Sequence, residues 1–167
     1  NLELAGLTNR MEHFRDGLLR DPLRSFDAAL ATPLSLLNDS PKRQLHLQLA
    51  LGYGEAGGID GIAVSLGVLR VRRDLLGVAS GLGAVFVGGS VQGVVTSIGY
   101  AQVDGNLEGV LMGAGAAVQR GPVARGAVVS VGGALAGNLT GALLGAGFAT
   151  SKSLHGVGIS VGATVIR

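Results

Sequence analysis

The chain has 167 residues, enough for one domain or a domain with a short appendage, and 47% of them are apolar, enough for a sizeable core. Only 14% are charged and the formal net charge is +2, which leaves no electrostatic footprint for nucleic acid. Cysteine is absent, so neither disulfides nor thiolate-bound metals brace the fold. With 4% aromatic residues and 30 glycines, the core must be packed from small and branched side chains.

Residues 1–43 form a segment apart, holding only Gly6 and Gly17 of those glycines. Leu4, Leu7, Met11, Phe14 and Leu18 recur at alternating three- and four-residue steps, which predicts a helix with one apolar face. Pro22 ends it, because its ring cannot continue a helix interior. Leu23, Phe26, Leu30, Leu34 and Leu37 give a second apolar stripe, interrupted by Pro33. Asn38-Asp39-Ser40-Pro41 is a turn cluster that marks the domain boundary. The segment reads as a helical cap on the rest of the chain, or as a helix that docks a partner. No charged-then-apolar leader is read at Asn1, so the sequence assigns no compartment.

Residues 44–167 form a repeat domain. GVVTSIG (Gly93–Gly99), GAVVSVG (Gly126–Gly132) and GVGISVG (Gly156–Gly162) are its clearest copies. Units start at Gly61, Gly77, Gly93, Gly109, Gly126, Gly141 and Gly156, and His46 opens a degenerate unit before them. Regular self-similarity at this period is the mark of a stacked repeat. The seventh position is always glycine, the fifth always small and the sixth always apolar, while polar residues and length changes fall between units, as in RGPVARG and SKSLHG.

Apolar and small residues alternate within a unit, the period of a strand. Positions two, four and six are the bulky set, expected to fill the core. Positions three, five and seven are small, expected to form a flat packing surface. The interface candidates are therefore Ser65, Gly67, Gly81, Gly83, Ser97, Gly99, Gly113, Gly115, Ser130, Gly132, Gly145, Gly147, Ser160 and Gly162.

The expected fold is mainly β: a short-coil parallel β-solenoid of about eight repeats with an N-terminal α-helical cap. The alternative is an eight-stranded antiparallel β-barrel or meander. Its two ends differ, so odd and even turns should differ as well, and only the Ser alternating with Gly or Ala at position five fits that. A third architecture is helical and membranous: Leu75–Val103 and Gly126–Ser151 are uncharged and long enough to span a bilayer, and Gly133, Gly137, Gly141 and Gly145 lie four apart. The repeat already accounts for each of those glycines, and Asn138 and Thr140 interrupt the run.

Two catalytic-looking motifs dissolve into the repeat. GYGEAG (Gly52–Gly57), with Asp74 downstream, outlines a dinucleotide site, but the next unit follows where a helix is required. GISVG (Gly158–Gly162) matches the nucleophile elbow, yet no histidine follows Ser160. His13, His46 and His155 lack companion carboxylates at ligand spacing. Glu55, Asp60, Asp74, Asp104 and Glu108 are scattered over turns without an acid/base pair. No catalytic, cofactor-binding or metal-ligating residue is assigned, no small-molecule substrate is expected, and the chain reads as no enzyme. Arg70, Arg72 and Arg73, beside Asp74, form the densest basic cluster and a possible contact for an anion or partner.

The phrases GSVQGVVTSIGYA (Gly89–Ala101), GNLEGVLMGAGAA (Gly105–Ala117) and GNLTGALLGAGFA (Gly137–Ala149) resemble bacterial short surface-repeat proteins over roughly Gly61 to Arg167. Ala, Val and Gly stand here where that family's runs carry frequent Gln and Asn. The resemblance implies a place in the bacterial envelope or exterior without a defined activity. A weaker likeness is to bactofilin-type β-solenoids, cytoskeletal polymers with glycine-apolar-x-glycine phrases. Together these readings predict a non-enzymatic structural or surface-assembly protein. It would form a homo-oligomer or filament by packing on a flat β face, with membrane association also open; the alternative is an outer-membrane or membrane-inserted β protein, or a glycine-zipper helical membrane protein.

Overall fold

The computed structural model describes residues 26–31, 34–35 and 44–166, with side chains over 46–166. The first two strands are β1 (Phe26–Ala31) and β2 (Leu34–Ser35). The next seven are β3 (Gln44–Ala56), β4 (Gly58–Ser65), β5 (Val68–Val71), β6 (Leu75–Gly81), β7 (Ala84–Val87), β8 (Val91–Ser97) and β9 (Tyr100–Val103). The rest are β10 (Leu107–Gly113), β11 (Ala116–Gln119), β12 (Val123–Ser130), β13 (Gly133–Gly145), β14 (Phe148–Ser160) and β15 (Ala163–Ile166).

Strands two apart in the chain pair in parallel, as β4 with β6, β6 with β8 and β8 with β10 do. The short strands repeat the pattern, β5 with β7, β7 with β9 and β9 with β11. Parallel neighbours one repeat apart are the mark of a winding chain, so the fold is a parallel β-solenoid of about eight turns. An antiparallel barrel or meander requires consecutive antiparallel hairpins, and these strands do not make them. No helix occurs among the described residues, and none there is long and apolar enough to cross a membrane.

The glycines that open each unit set the register. Gly61, Gly77, Gly93 and Gly109 stack in line, continued by Gly126, Gly141 and Gly156. All seven have φ between 127° and 149°, a region closed to ordinary L side chains, and no other described residue has positive φ. The inside-outside alternation slips there. Leu76 and Val78, on either side of Gly77, both face out, whereas Leu75 and Ala79 are buried. Position one is thus a bend within the long strand. Two further bends complete the coil, at positions six to seven (Leu82-Gly83) and at positions twelve to fourteen (Gly88-Gly89-Ser90).

Length variation falls at that third bend. Unit origins Gly61, Gly77, Gly93, Gly109, Gly126, Gly141 and Gly156 are 16, 16, 16, 17, 15 and 15 residues apart. In the two shortest coils the bend straightens, and the flanking strands merge into the 13-residue β13 and β14. The longest coil carries its extra residue at Arg120-Gly121-Pro122, where the buried Gln119 side chain satisfies the enlarged turn. Its Nε2 donates to the carbonyls of Gly121 (2.9 Å), Gly105 (3.2 Å) and Val123 (3.3 Å), and its Oε1 accepts from the Gly137 amide at 2.9 Å.

The core reverses the expected assignment of the rows. Position three (Ala63, Ala79, Val95, Leu111, Val128, Leu143) and position five (Ser65, Gly81, Ser97, Gly113, Ser130, Gly145) face inward and are buried. The bulky positions two, four and six face solvent, with Ile62 50%, Leu66 53% and Ile98 61% exposed. The reason is bore. Across a coil this narrow, position five meets position nine, and a methyl group on Gly81 would lie 2.8 Å from a methyl of Val85. Larger buried side chains sit where the walls leave room: two residues ahead of an opening glycine, at Ile59, Leu75, Val91, Leu107 and Leu139, and in the later coils at position three, at Leu111 and Leu143.

The helix expected at Leu4–Leu18 and the turn at Asn38–Pro41 lie outside the described residues. Over the second stripe, however, Phe26–Ala31 is a strand, not a helix. It pairs in parallel with β3 from Leu47 to Tyr53, and β2 pairs back on it antiparallel. An exposed parallel edge offers a row of backbone donors and acceptors, and that pairing overrides the weak helical pattern broken by Pro33.

Candidate functional site

Two surfaces stand out. The first is the outward side of the long strands, built from positions two, four and six. It runs from Leu47, Leu49 and Leu51 in the first coil to Val157, Ile159 and Val161 in the last described one. Past the opening glycines no charged residue stands in it, although Asp60, Glu108 and Arg125 border it just ahead of them, and only Ser80 and Thr96 interrupt it with polar groups. Those two partner each other, since the Thr96 hydroxyl donates to Ser80 Oγ at 3.1 Å.

The expected interface residues occupy different places. Ser65, Gly81, Ser97, Gly113, Ser130 and Gly145 line the core, and the hydroxyls of Ser97 and Ser130 have no hydrogen-bond partner there. Gly67, Gly83, Gly99, Gly115, Gly132, Gly147 and Gly162 form the second bend, where each stacks against the carbonyl of the glycine one coil before it. Their missing side chains permit close coil stacking. Ser160, half-buried in the last described coil, hydrogen-bonds Thr164 at 2.8 Å.

The second surface is the outward side of the short strands, at positions eight and ten. Tyr53, Phe86, Tyr100 and Phe148 all stand on it, and they are the only aromatic residues among those whose side chains are described. Phe86 and Tyr100 tilt together with ring centres 5.6 Å apart and planes at 41°. Beside them a groove of ≈ 680 Å³ is lined by Tyr53, Val68, Arg70, Val71, Arg72, Phe86, Gly88, Gln102 and Asp104.

The groove opens where position twelve is glycine, at Gly88. Register places Gly88 between Arg72 and Asp104, leaving a notch with a guanidinium on one wall and a carboxylate on the other. The far wall is held by a relay. Tyr100 Oη donates to Gln102 Oε1 at 2.8 Å, Gln102 Nε2 donates to Asp104 Oδ1 at 2.7 Å, and Arg120 Nη1 stands 3.9 Å from the same oxygen. On the near wall Arg72 is ion-paired with the buried Glu55, which raises the guanidinium pKa further. The Tyr53 hydroxyl is also pushed above its ordinary pKa, by burial first and the Glu55 charge second, against a hydrogen bond from Arg70.

The basic cluster read from the sequence is therefore divided. Arg70 faces the groove, Arg72 is tied to Glu55, and Arg73 lies at the bend with its Nε 3.4 Å from the Gly57 carbonyl. Spacing along the chain did not reveal the groove, because its residues come from four coils. The column at position ten (Glu55, Arg70, Phe86, Gln102), read down the repeat, was the available signal. Among the described residues no group of His, Asp and Glu is placed to hold a metal ion.

No family model matches the chain, and no curated protein or solved structure is significantly similar to it. The parallel β-solenoid with turns of about sixteen residues agrees with the stacked repeat expected from the sequence period.

Proposed function

We propose that this is a non-enzymatic structural protein that assembles by packing its outward apolar sheet face against the same face of a second copy. The observation that carries this is the uncharged surface from Leu47 to Val161, which shuns water on the outside of a fold whose core is already complete. Eight coils spaced about 4.8 Å apart, each offering five residues at about 3.3 Å, give about 500 Å² per copy. Two such faces together bury about 1,000 Å², the lower bound for a specific interface. A two-fold arrangement lets one face serve both partners. The likeness to bacterial short surface-repeat proteins supports a place in the cell envelope or exterior, and the likeness to bactofilin-type solenoids supports polymers as the end product.

Light scattering coupled to size exclusion, without detergent, tests the reading. The expected result is a dimer or larger assembly at micromolar concentration, converted to monomer by Ile98→Lys combined with Met112→Lys. A wild-type chain that stays monomeric overturns it. So does a monomer that binds neutral lipid vesicles through the same face, which makes lipid the partner.

A further inference from the structure

The aromatic side of the solenoid carries a second notch, and the two share one construction. Position twelve reads Arg72, Gly88, Asp104, Arg120, Gly137 and Lys152 from coil to coil, by the register of the short strands. Gly137 repeats what Gly88 does: it opens a gap of ≈ 480 Å³ between Arg120 and Lys152, lined also by Tyr100, Val118 and Leu135. The notches lie three coil steps apart, about 14 Å, along the solenoid axis. The Tyr100–Gln102–Asp104 relay forms the ridge between them.

Charge on this edge is of one sign once its pairs are counted. Glu55 is matched by Arg72, and Asp104 by Arg120. Arg70 at the first notch and Lys152 at the second have no carboxylate partner among the described residues. Each notch thus joins an uncompensated cation to an apolar ring or methyl floor, with amide and hydroxyl groups on the ridge.

We infer that this edge binds a carboxylated polysaccharide laid along the solenoid axis, one acidic sugar seated in each notch. A guanidinium fork matches a carboxylate with two parallel hydrogen bonds. The C–H face of a pyranose is apolar and rests on the half-buried Phe86 and Tyr100 rings, while ring hydroxyls meet the Gln102 amide and Tyr100 hydroxyl. Repetition of the notch along a straight axis fits a polymer better than a single small anion, because the second contact is made at high effective concentration. A nucleic acid backbone demands a dense row of cations, and here the two unpaired cations are five coil steps apart.

Calorimetric titration of the full chain with oligogalacturonate tests the inference, with polyglutamate, single-stranded DNA and neutral dextran as comparisons. Saturable binding of oligogalacturonate is expected. It should weaken at least tenfold in Arg70→Gln and again in Lys152→Gln, with circular dichroism unchanged because both side chains are exposed. Free galacturonate should bind at least tenfold more weakly than the oligomer. No saturable binding overturns the proposal, as do equal affinity for polyglutamate or DNA and indifference to both substitutions. Equal affinity for monomer and oligomer overturns the two-notch arrangement.

Discussion

Gly93 sits directly over Gly77 in the next coil, with its α-carbon so placed that a side chain would begin inside the van der Waals radius of the Gly77 carbonyl oxygen. Gly93 also holds φ at 140°. Steric crowding and an unfavourable backbone region therefore coincide at one atom. Gly93→Ala is expected to destabilise the fold by about 3 kcal/mol or more, and a chemical-denaturation curve checks it. A loss below about 0.5 kcal/mol would show that the coils can part locally to admit a methyl group.

The inward and outward rows make opposite predictions at adjacent residues. Leu111 is fully buried and Met112 is 42% exposed. Leu111→Ala removes core volume that the narrow coil cannot refill and should cost about 2–5 kcal/mol. Met112→Ala should change monomer stability by no more than about 0.5 kcal/mol. The reverse order, measured by thermal unfolding of each variant, would restore the bulky row to the core.

Gln119 holds the one coil that exceeds the common length. Gln119→Leu has nearly the right volume but leaves the Gly137 amide and the carbonyls of the Gly121 turn without their side-chain partner. A cost of about 2–4 kcal/mol is expected, with hydrogen exchange of the Gly137 amide accelerated most. An unchanged exchange rate at Gly137 would argue against the bridge.

Tyr53 titrates above the ordinary tyrosine value of 10.0, because burial and then Glu55 outweigh Arg70. The folded chain holds this proton more tightly than the unfolded one does. The contribution to stability is therefore complete below about pH 10 and is lost as pH rises through the higher folded value. Ultraviolet titration of tyrosinate should show a phase above about pH 10 that Tyr53→Phe removes. That variant should also lose less stability on alkalinisation than the wild type.

The period, the glycine columns and the parallel coil were legible because backbone sterics act within a unit and recur at each copy. Gly61 to Gly156 are required wherever the chain bends, so the requirement is written in the residue type. The places where length varies from Gly61 onward were legible for the same reason, since RGPVARG and SKSLHG mark the bend at which residues are added or lost. Which row faces the core was not legible. Alternation identifies two sides of a strand, but the choice between them depends on how much space the opposite wall leaves. In a coil this narrow, Val85 leaves no room for a side chain at Gly81, so position five must be small and faces in, while Val78 and Leu82 are turned out to solvent. Nor did the sequence alone disclose the strand at Phe26–Ala31, whose partner edge belongs to residues some twenty positions later. The sequence by itself determined that the chain winds and where it bends. Only the tertiary structure decided which surfaces the winding exposes, because burial is a property of opposing walls and not of one strand.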